Sequence, residues 1–444
     1  MLAGRNRPIL IIGALFFVFG FVTWLGAVLI PYLRIACRLN SFASYLVAFY
    51  FYISYAIAAL PAGYLLRRTG YRKGMALGLL IMSVGAALFI PAAMTRYYPL
   101  FLAGLFVLGS GLALLQTASN PYITIIGPLE SAARRIGIMG ICNGIAGVVA
   151  PLILGAIILQ DADAVKLRIA RASPGERIQL LDELARRVIV PYGIMTVVLL
   201  LLAAWVYYSR LPEPAVDGSP PQPADHSPVS GPPPAGRSPL PADLSSPGRS
   251  SLPRTSILQF PHLLLGAFTL FLYVGVEVIA GDMIINYGYS QGIPLSAARF
   301  FTSYTLALML LGYILGIILI PKYLSQVSIL KISGMLGIGF ACMALCTNGY
   351  LSVMFIACLG LANAMVWPSI WPLAIEGLGK FTNVGASLLI LAIGGGALLP
   401  MAYGWLAEMM SPQRAYLIVI PCYGCIWYYA VAGHKIRLPL KTLS

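Results

Sequence analysis

Long apolar runs alternate with short joints that are polar and mostly positive. A helix needs about 20 apolar residues to cross the hydrocarbon core of a bilayer. Twelve windows meet that length: residues 9–30, 43–66, 74–94, 98–127, 137–160, 189–209, 259–288, 298–320, 328–347, 349–375, 384–407 and 413–432. Several contain Pro or Gly, which membrane helices tolerate because neighbouring groups re-satisfy the freed backbone. The first window is too long for a cleaved signal, and no small-residue cleavage site follows it. The pattern predicts an all-α integral membrane protein of twelve transmembrane helices.

One stretch breaks the rhythm. Residues 211–256 are rich in Pro, Ser, Gly and Ala, with Pro220-Pro221 and Pro232-Pro233-Pro234, and their charges nearly cancel. Such a segment cannot bury a core and reads as a disordered cytoplasmic linker. It divides the chain into a six-helix half (1–210), the linker (211–256), a second six-helix half (257–434) and a cytoplasmic tail (435–444). Residues 161–188 are mixed in charge and read as an outside loop with a short surface helix.

Composition removes the soluble classes. Of 444 residues 59% are hydrophobic and only 10% charged, against about 25% charged in an ordinary soluble domain. There are too few polar side chains to coat a globule. The net charge of +15 does not point to nucleic acid, because the basic residues form no stripe or aromatic-interleaved patch. They sit in alternate joints instead: Arg5 and Arg7, then Arg67, Arg68, Arg72 and Lys73, then Arg134 and Arg135, and later Lys322, Lys331, Lys380, Lys435, Arg437 and Lys441. The other joints carry fewer. By the positive-inside rule both termini are cytoplasmic. The seven cysteines lie in or beside apolar runs, so the Cys422-x-x-Cys425 pair reads as small packing residues rather than a redox site.

The halves look like repeats. Aligned on Pro121 and Pro368, Gln116 of the fourth span falls on Asn363 of the tenth. Gly147, Pro151 and Gly155 of the fifth fall on Gly396, Pro400 and Gly404 of the eleventh. Gly20 and Gly26 of the first fall on Gly275 and Gly281 of the seventh. Six spans per half put the two repeats in the same orientation. That is the parallel-repeat arrangement of major facilitator transporters, which bind substrate near the bilayer midplane between halves.

Polar groups inside the apolar windows are the candidate chemistry. Gln116 and Asn120 are four apart and share a helix face, and Pro121 can kink that helix. Asn143, Asn286 and Asn363 are further uncharged hydrogen-bonders. A sugar needs amides that both donate and accept, with aromatic faces for its C–H side. Trp367 beside Pro368 is the candidate for ring stacking, among Trp24, Tyr50, Tyr52, Tyr55, Tyr273, Tyr287 and Trp371. Any one amide also works as interhelical glue, worth about 0.6 kcal/mol. Glu277 and Asp282 lie well inside the seventh span. An acid at that depth costs about 2.5–3.5 kcal/mol on insertion scales and is a functional candidate by default. Five residues apart, they share no face of a regular helix, but Gly281 could loosen the helix between them. Either could take a proton, or both could ligate sodium with Asn286.

Enzyme chemistry finds no footing. The three histidines fall in the linker, at a helix entrance and in the tail, and make neither triad nor metal site. Gly394-Gly395-Gly396 has no following Lys-Ser/Thr and is no phosphate loop. No cofactor is expected beyond a co-transported proton or sodium ion.

The run Gln116–Pro128, the Phe49–Tyr55 string with Leu60–Gly63, the run Leu272–Gly288 and Ile393–Gly396 resemble the fucose/glucose–galactose permease family of the major facilitator superfamily. The resemblance covers nearly the whole chain except 161–188 and 211–256. It implies a sugar–cation symporter of the bacterial inner membrane, a monomer in the lipid bilayer with a small sugar as partner. Gly63-x-x-x-Arg67-Arg68-x-Gly70-x-Arg72-Lys73 resembles the superfamily's loop motif, with Arg67 where most members carry Asp. Fucose permeases carry an Asp in the first helix and a Glu in the fourth, tied to proton coupling and sugar binding. The matching positions here are Ala27 and Gln116, which is more like the glucose/galactose branch. By the internal repeat Ala27 falls on Asp282, so the acidic role is expected to have moved to the seventh helix. Asn143 matches an amide of fucose permeases. Glucose, galactose or a related hexose is the expected substrate, with L-fucose and N-acetylglucosamine as alternatives. A drug exporter would need an apolar cavity and the loop Asp. A sensor would bind sugar without moving it.

Overall fold

A computed structural model describes residues 7–125, 132–159, 161–209, 211, 257–320, 323–378 and 381–436. The linker from 212 to 256, the tail from 437, Glu130, Lys322 and Lys380 lie outside the described residues, as do the side chains of Asn120, Arg67, Arg134 and Arg135. Twelve helices are long and apolar enough to span a membrane. We number the spans α1 to α12.

Span α1 is split into Arg7–Thr23 and Gly26–Ala36. Spans α2 and α3 form one run, Ser41–Ala87, broken at Gly70, with Phe89–Thr95 completing α3. Then come α4 (Tyr98–Ile125), α5 (Ala132–Ile158) and α6 (Ile189–Tyr208). In the second half α7 is split into Pro261–Asp282 and Ile284–Ser290. Leu295–Ala298 and Phe301–Leu319 make α8, and Gln326–Cys346 is α9. Span α10 is split into Gly349–Asn363 and Val366–Ile375, and α11 into Thr382–Leu391 and Gly395–Met409. Pro412–Ala415 and Val419–Val431 make α12. Gly70 adopts φ 78°, ψ 170°, a region essentially restricted to glycine, which lets α2 turn into α3 within the loop motif. Arg72 on the following turn donates to the Ser209 carbonyl at 3.2 Å, tying the loop to the end of α6.

The loop between α5 and α6 holds two short helices, Ala162–Arg171 and Pro174–Arg186, rather than one. The Tyr32 hydroxyl donates to the carbonyls of Leu184 and Ala185 (2.6 and 2.9 Å), pinning this loop to the far end of α1. Arg187 pairs with Asp161, and its guanidinium holds that carboxyl below the usual range.

Twelve spans return the chain to its starting side, so residues 7 and 436 lie on one face. The halves meet from the midplane toward the opposite face, and the Thr382–Leu391 piece of α11 also packs against the Ser41–Ala87 run on the terminal side. Several of the repeated glycines lie where the halves touch, while Gly20 and Gly275 pack within their own halves. A Cβ on Gly281 would lie 2.2 Å from the Trp24 ring, and one on Gly404 would lie 2.2 Å from the Tyr45 ring. Gly396 sits 3.0 Å from Tyr52, Gly155 3.4 Å from Arg299 and Gly26 3.0 Å from Asp282 by the same measure. Each pair crosses between the halves. The internal repeat is thus legible as a set of close-approach positions, where small residues let helices meet. Polar contacts close the same face: the Asp163 carboxylate accepts from the backbone N–H groups of Leu295 and Ser296 at 3.0 Å, Lys166 reaches the Tyr289 ring at 4.0 Å, Arg299 donates to the Gly155 carbonyl at 3.3 Å, and the Phe42 N–H donates to Glu408 at 2.8 Å. On the terminal side, α4 and the inner piece of α10 pack within their own halves.

Candidate functional site

The centre of the site is where the broken helices α1 and α7 meet. The turn at Trp24-Leu25 interrupts α1, and its hydrogen bonds there are long: Trp24 N to the Gly20 carbonyl and Leu25 N to the Val22 carbonyl, both 3.4 Å. Asp282 projects from α7 into this break. It is 1% exposed. Its carboxylate lies against the start of the second piece of α1, 3.0 Å from the point a Cβ on Gly26 would occupy, and Oδ1 has no hydrogen-bond partner. An enclosed void of about 10 Å³ adjoins it, lined mainly by Val22, Leu25, Val47, Ala48, Phe51, Leu105 and Leu108, with Thr23, Tyr52 and Tyr192 as the polar walls. That is about the space of one water.

The break in α7 falls at Met283, one residue beyond Asp282. The expectation that Gly281 loosens the helix between the two acids does not hold: residues 277–282 stay helical and the acids keep different faces. Gly281 instead receives the Trp24 ring. The carbonyls of the last turn, which a helix end leaves open, are met from α8: Thr302 donates to Gly281 at 2.7 Å and Thr305 to Ala280 at 3.4 Å.

Glu277 is half-buried and accepts from the Tyr273 hydroxyl, one turn earlier, at 2.9 Å. Tyr52 of the other half lies near enough to both acids to feel their charge. Gln116, half-buried on α4, accepts from the Tyr55 hydroxyl. Asn143, half-buried on α5, packs its backbone and amide oxygens against Gly20 of α1. Asn363 is 1% exposed, and its Oδ1 accepts from Tyr423 of α12 at 2.8 Å. It stands immediately before the break in α10. Trp367, after that break, stacks on Trp371 at 5.5 Å and 28°. Asn286 lies apart from these, more than two turns beyond Glu277 along α7. It is buried beside the cluster Tyr45, Tyr403, Tyr416 and Tyr287 that seals the far face, and its Nδ2 has no hydrogen-bond partner. Its place in the seal sets Asn286 apart from Gln116, Asn143, Asn363 and Glu277, while Asp282 stands one helical turn before it. Among the described residues no group of three or more His, Cys, Asp and Glu side chains could hold a metal, and all seven cysteines are free.

Sequence reasoning missed the tyrosines as partners of the amides and acids. The signal was partly present: Tyr273 and Glu277 are spaced i, i+4 and so meet on one helix face. It also missed Asp163, Thr302 and Thr305, whose partners are distant in sequence.

Twelve spans, two parallel halves and breaks in α1, α7 and α10 around a midplane cluster describe an alternating-access transporter. The sequence matches the Major Facilitator Superfamily over residues 10–386. The chain belongs to that superfamily. Within it the chain is 32% identical to a protein of Brucella abortus named "Glucose/galactose transporter", over 95% of this chain and 92% of the relative. It is 26% identical to the "L-fucose-proton symporter" of Escherichia coli, over 96% and 94% respectively. These relatives place it in the fucose/glucose–galactose permease family. Its fold matches the crystal structure of a superfamily transporter in the outward conformation, with a TM-score of 0.67 at 24% identity, covering 96% of this chain and 98% of that one. The protein is therefore a membrane transporter and not an enzyme.

Proposed function

We propose that the transporter imports a neutral hexose of the glucose/galactose class together with a proton carried by Asp282. The observation that carries the coupling is the seat of that carboxyl: buried where the halves close, packed against Gly26 of α1, with Oδ1 unpartnered beside a small, mostly apolar void. Enclosing a bare carboxylate there is costly. Binding a proton removes the charge, so closing the far face and loading Asp282 favour each other, which is the coupling that symport requires. A hard cation such as sodium takes several oxygen ligands, and besides the Asp282 carboxylate the side chains around the void offer only the hydroxyls of Thr23, Tyr52 and Tyr192 among otherwise apolar walls. This seat also answers the departure at Ala27: the acid that fucose permeases carry on the first helix is supplied here from α7 and packs against Gly26, next to Ala27.

Gln116, Asn143 and Trp367 are proposed to meet the sugar, with Asn120 beside Gln116 on the same helix. Asn363 stands behind them against Tyr423. With both termini cytoplasmic, as the basic joints favour, the sealed face is outside and the site is inward-facing. The setting would be a bacterial inner membrane, and one chain suffices for the site. The names of the relatives support the hexose class.

The test is uptake of labelled glucose, galactose, L-fucose and N-acetylglucosamine into proteoliposomes, under an imposed pH gradient and separately a sodium gradient. Accumulation of glucose or galactose under the pH gradient alone is expected. Preference for L-fucose or N-acetylglucosamine would correct the substrate. Sodium-driven accumulation would remove the proton from Asp282. Uptake of none of the four by folded, inserted protein would end the sugar reading and turn the search to amphipathic drugs.

A further inference from the structure

Two half-buried polar groups flank the meeting of the halves, and each has one oxygen occupied by a tyrosine of its own half. On α4, Gln116 Oε1 accepts from the Tyr55 hydroxyl. On α7, Glu277 Oε1 accepts from the Tyr273 hydroxyl at 2.9 Å. Tyr52 lies at the seam between the halves. It stands three residues from Tyr55 on the same face of α2, near Tyr55 and near Glu277 across the interface, and packs against Gly396.

The pairing sets what each group has left to offer. An amide whose oxygen faces a tyrosine presents its NH₂, a donor. A carboxylate with one oxygen occupied presents the other, an acceptor. Tyr55 and Tyr273 are 6% and 1% exposed. If the Gln116 amide turned over, the Tyr55 hydrogen would be stranded in a buried position, and a buried donor without an acceptor is penalised. The tyrosines therefore hold a direction, with a donor on the N-terminal half and an acceptor on the C-terminal half.

We infer that Tyr55 and Tyr273 are positioning residues that make the sugar site directional: one sugar oxygen accepts from Gln116 Nε2, and a different hydroxyl donates to Glu277 Oε2. This rests on the sugar reading above. It divides the two acids of α7, giving Asp282 to the coupling ion and Glu277 to sugar specificity. It also gives a reason for Gln at position 116: with a carboxylate on α7, a second carboxylate at this position on α4 would face the sugar with an acceptor where the amide presents a donor.

The experiment measures binding of the transported sugar to the purified full chain by calorimetry, with its monodeoxy and deoxyfluoro analogues at each ring position. Fluorine can accept weakly but cannot donate. At one position the fluoro analogue is expected to bind at least tenfold tighter than the deoxy analogue, the mark of a sugar oxygen that accepts. At another, both analogues are expected to bind at least tenfold weaker than the parent, the mark of a hydroxyl that must donate. Glu277→Gln, which brings an NH₂ to the second position, is expected to raise fluoro relative to deoxy binding there. Tyr55→Phe is expected to erase the fluoro–deoxy difference at the first position, whereas a merely structural role would weaken all analogues by one factor. Analogue profiles that are alike at every position, or a Glu277→Gln profile unchanged from the parent protein, would overturn the inference while leaving sugar transport standing. Absence of binding by any parent sugar would overturn both.

Discussion

Gly281 separates an effect on the transport cycle from an effect on folding. A Cβ there would lie 2.2 Å from Trp24 Cζ3 and 3.0 Å from Cη2, where an ordinary contact is about 3.5–4 Å. Trp24 cannot retreat freely, since its other edge lies 2.8 Å from the corresponding point on Gly147. The clash crosses between the halves, so opening the sealed face relieves it. Overpacking of this kind costs about 1–3 kcal/mol. A mid-range value of about 2 kcal/mol moves the sealed-to-open ratio roughly 30-fold, at about 1.4 kcal/mol per tenfold. Gly20→Ala is the control: its Cβ would lie 2.0 Å from the Asn143 carbonyl oxygen, within one half, where rocking gives no relief. Spin labels at Thr95→Cys and Asn348→Cys, on the sealed face of opposite halves in a background cleared of native cysteines but still active, report the separation by pulsed EPR. Gly281→Ala is expected to populate a longer distance with little loss of thermal stability, and Gly20→Ala to lower the melting temperature with distances unchanged. If Gly281→Ala behaved like Gly20→Ala, the glycine contacts would be packing features with no part in the rocking motion.

Other outcomes follow from the same contacts. Asp282→Asn, which mimics a neutral acid, should abolish accumulation under a pH gradient while sparing sugar counterflow across equal pH. Loss of both in a folded variant would place Asp282 in sugar binding instead. Asp163→Ala removes the cap on the first turn of α8, a loss of about 1 kcal/mol, and should shift the same EPR distances toward opening about fivefold; unchanged distances would show that the loop does not hold the face shut. Gly70→Ala forces a side chain into a glycine-only region and should cost about 1–3 kcal/mol, read as a lower melting temperature with the sugar affinity of the remaining folded protein unchanged.

What could be read from the chain follows the range of the interactions involved. Span number and the division at the linker are local consequences of hydropathy, and they emerge directly from twelve apolar windows. The glycine matches between halves were visible as pattern, but their meaning was not, because Trp24 meets Gly281 and Tyr45 meets Gly404 only after the halves pack. The same limit hid the seat of Asp282. An acid in an apolar span is conspicuous, whereas its seat against Gly26 follows from the break of α1 at Trp24-Leu25, and no proline marks that turn. The break in α7 was misplaced for a related reason. Gly281 suggested flexibility by itself, yet it is small to admit a ring from the other half, and the helix gives way at Met283, where Thr302 and Thr305 of α8 take the freed carbonyls. Asn286 lies near the acids in sequence, one turn beyond Asp282 and more than two beyond Glu277, but its place in the tyrosine seal emerges only when the halves pack.

The central claim is that sugar entry carries a proton through Asp282. The direct measurement is the pH of a lightly buffered, sodium-free suspension of proteoliposomes when the transported sugar is added outside. The account requires prompt external alkalinisation, collapsed by a protonophore and absent in Asp282→Asn. Sugar entry with no pH change, or with the same change in Asp282→Asn, would contradict it.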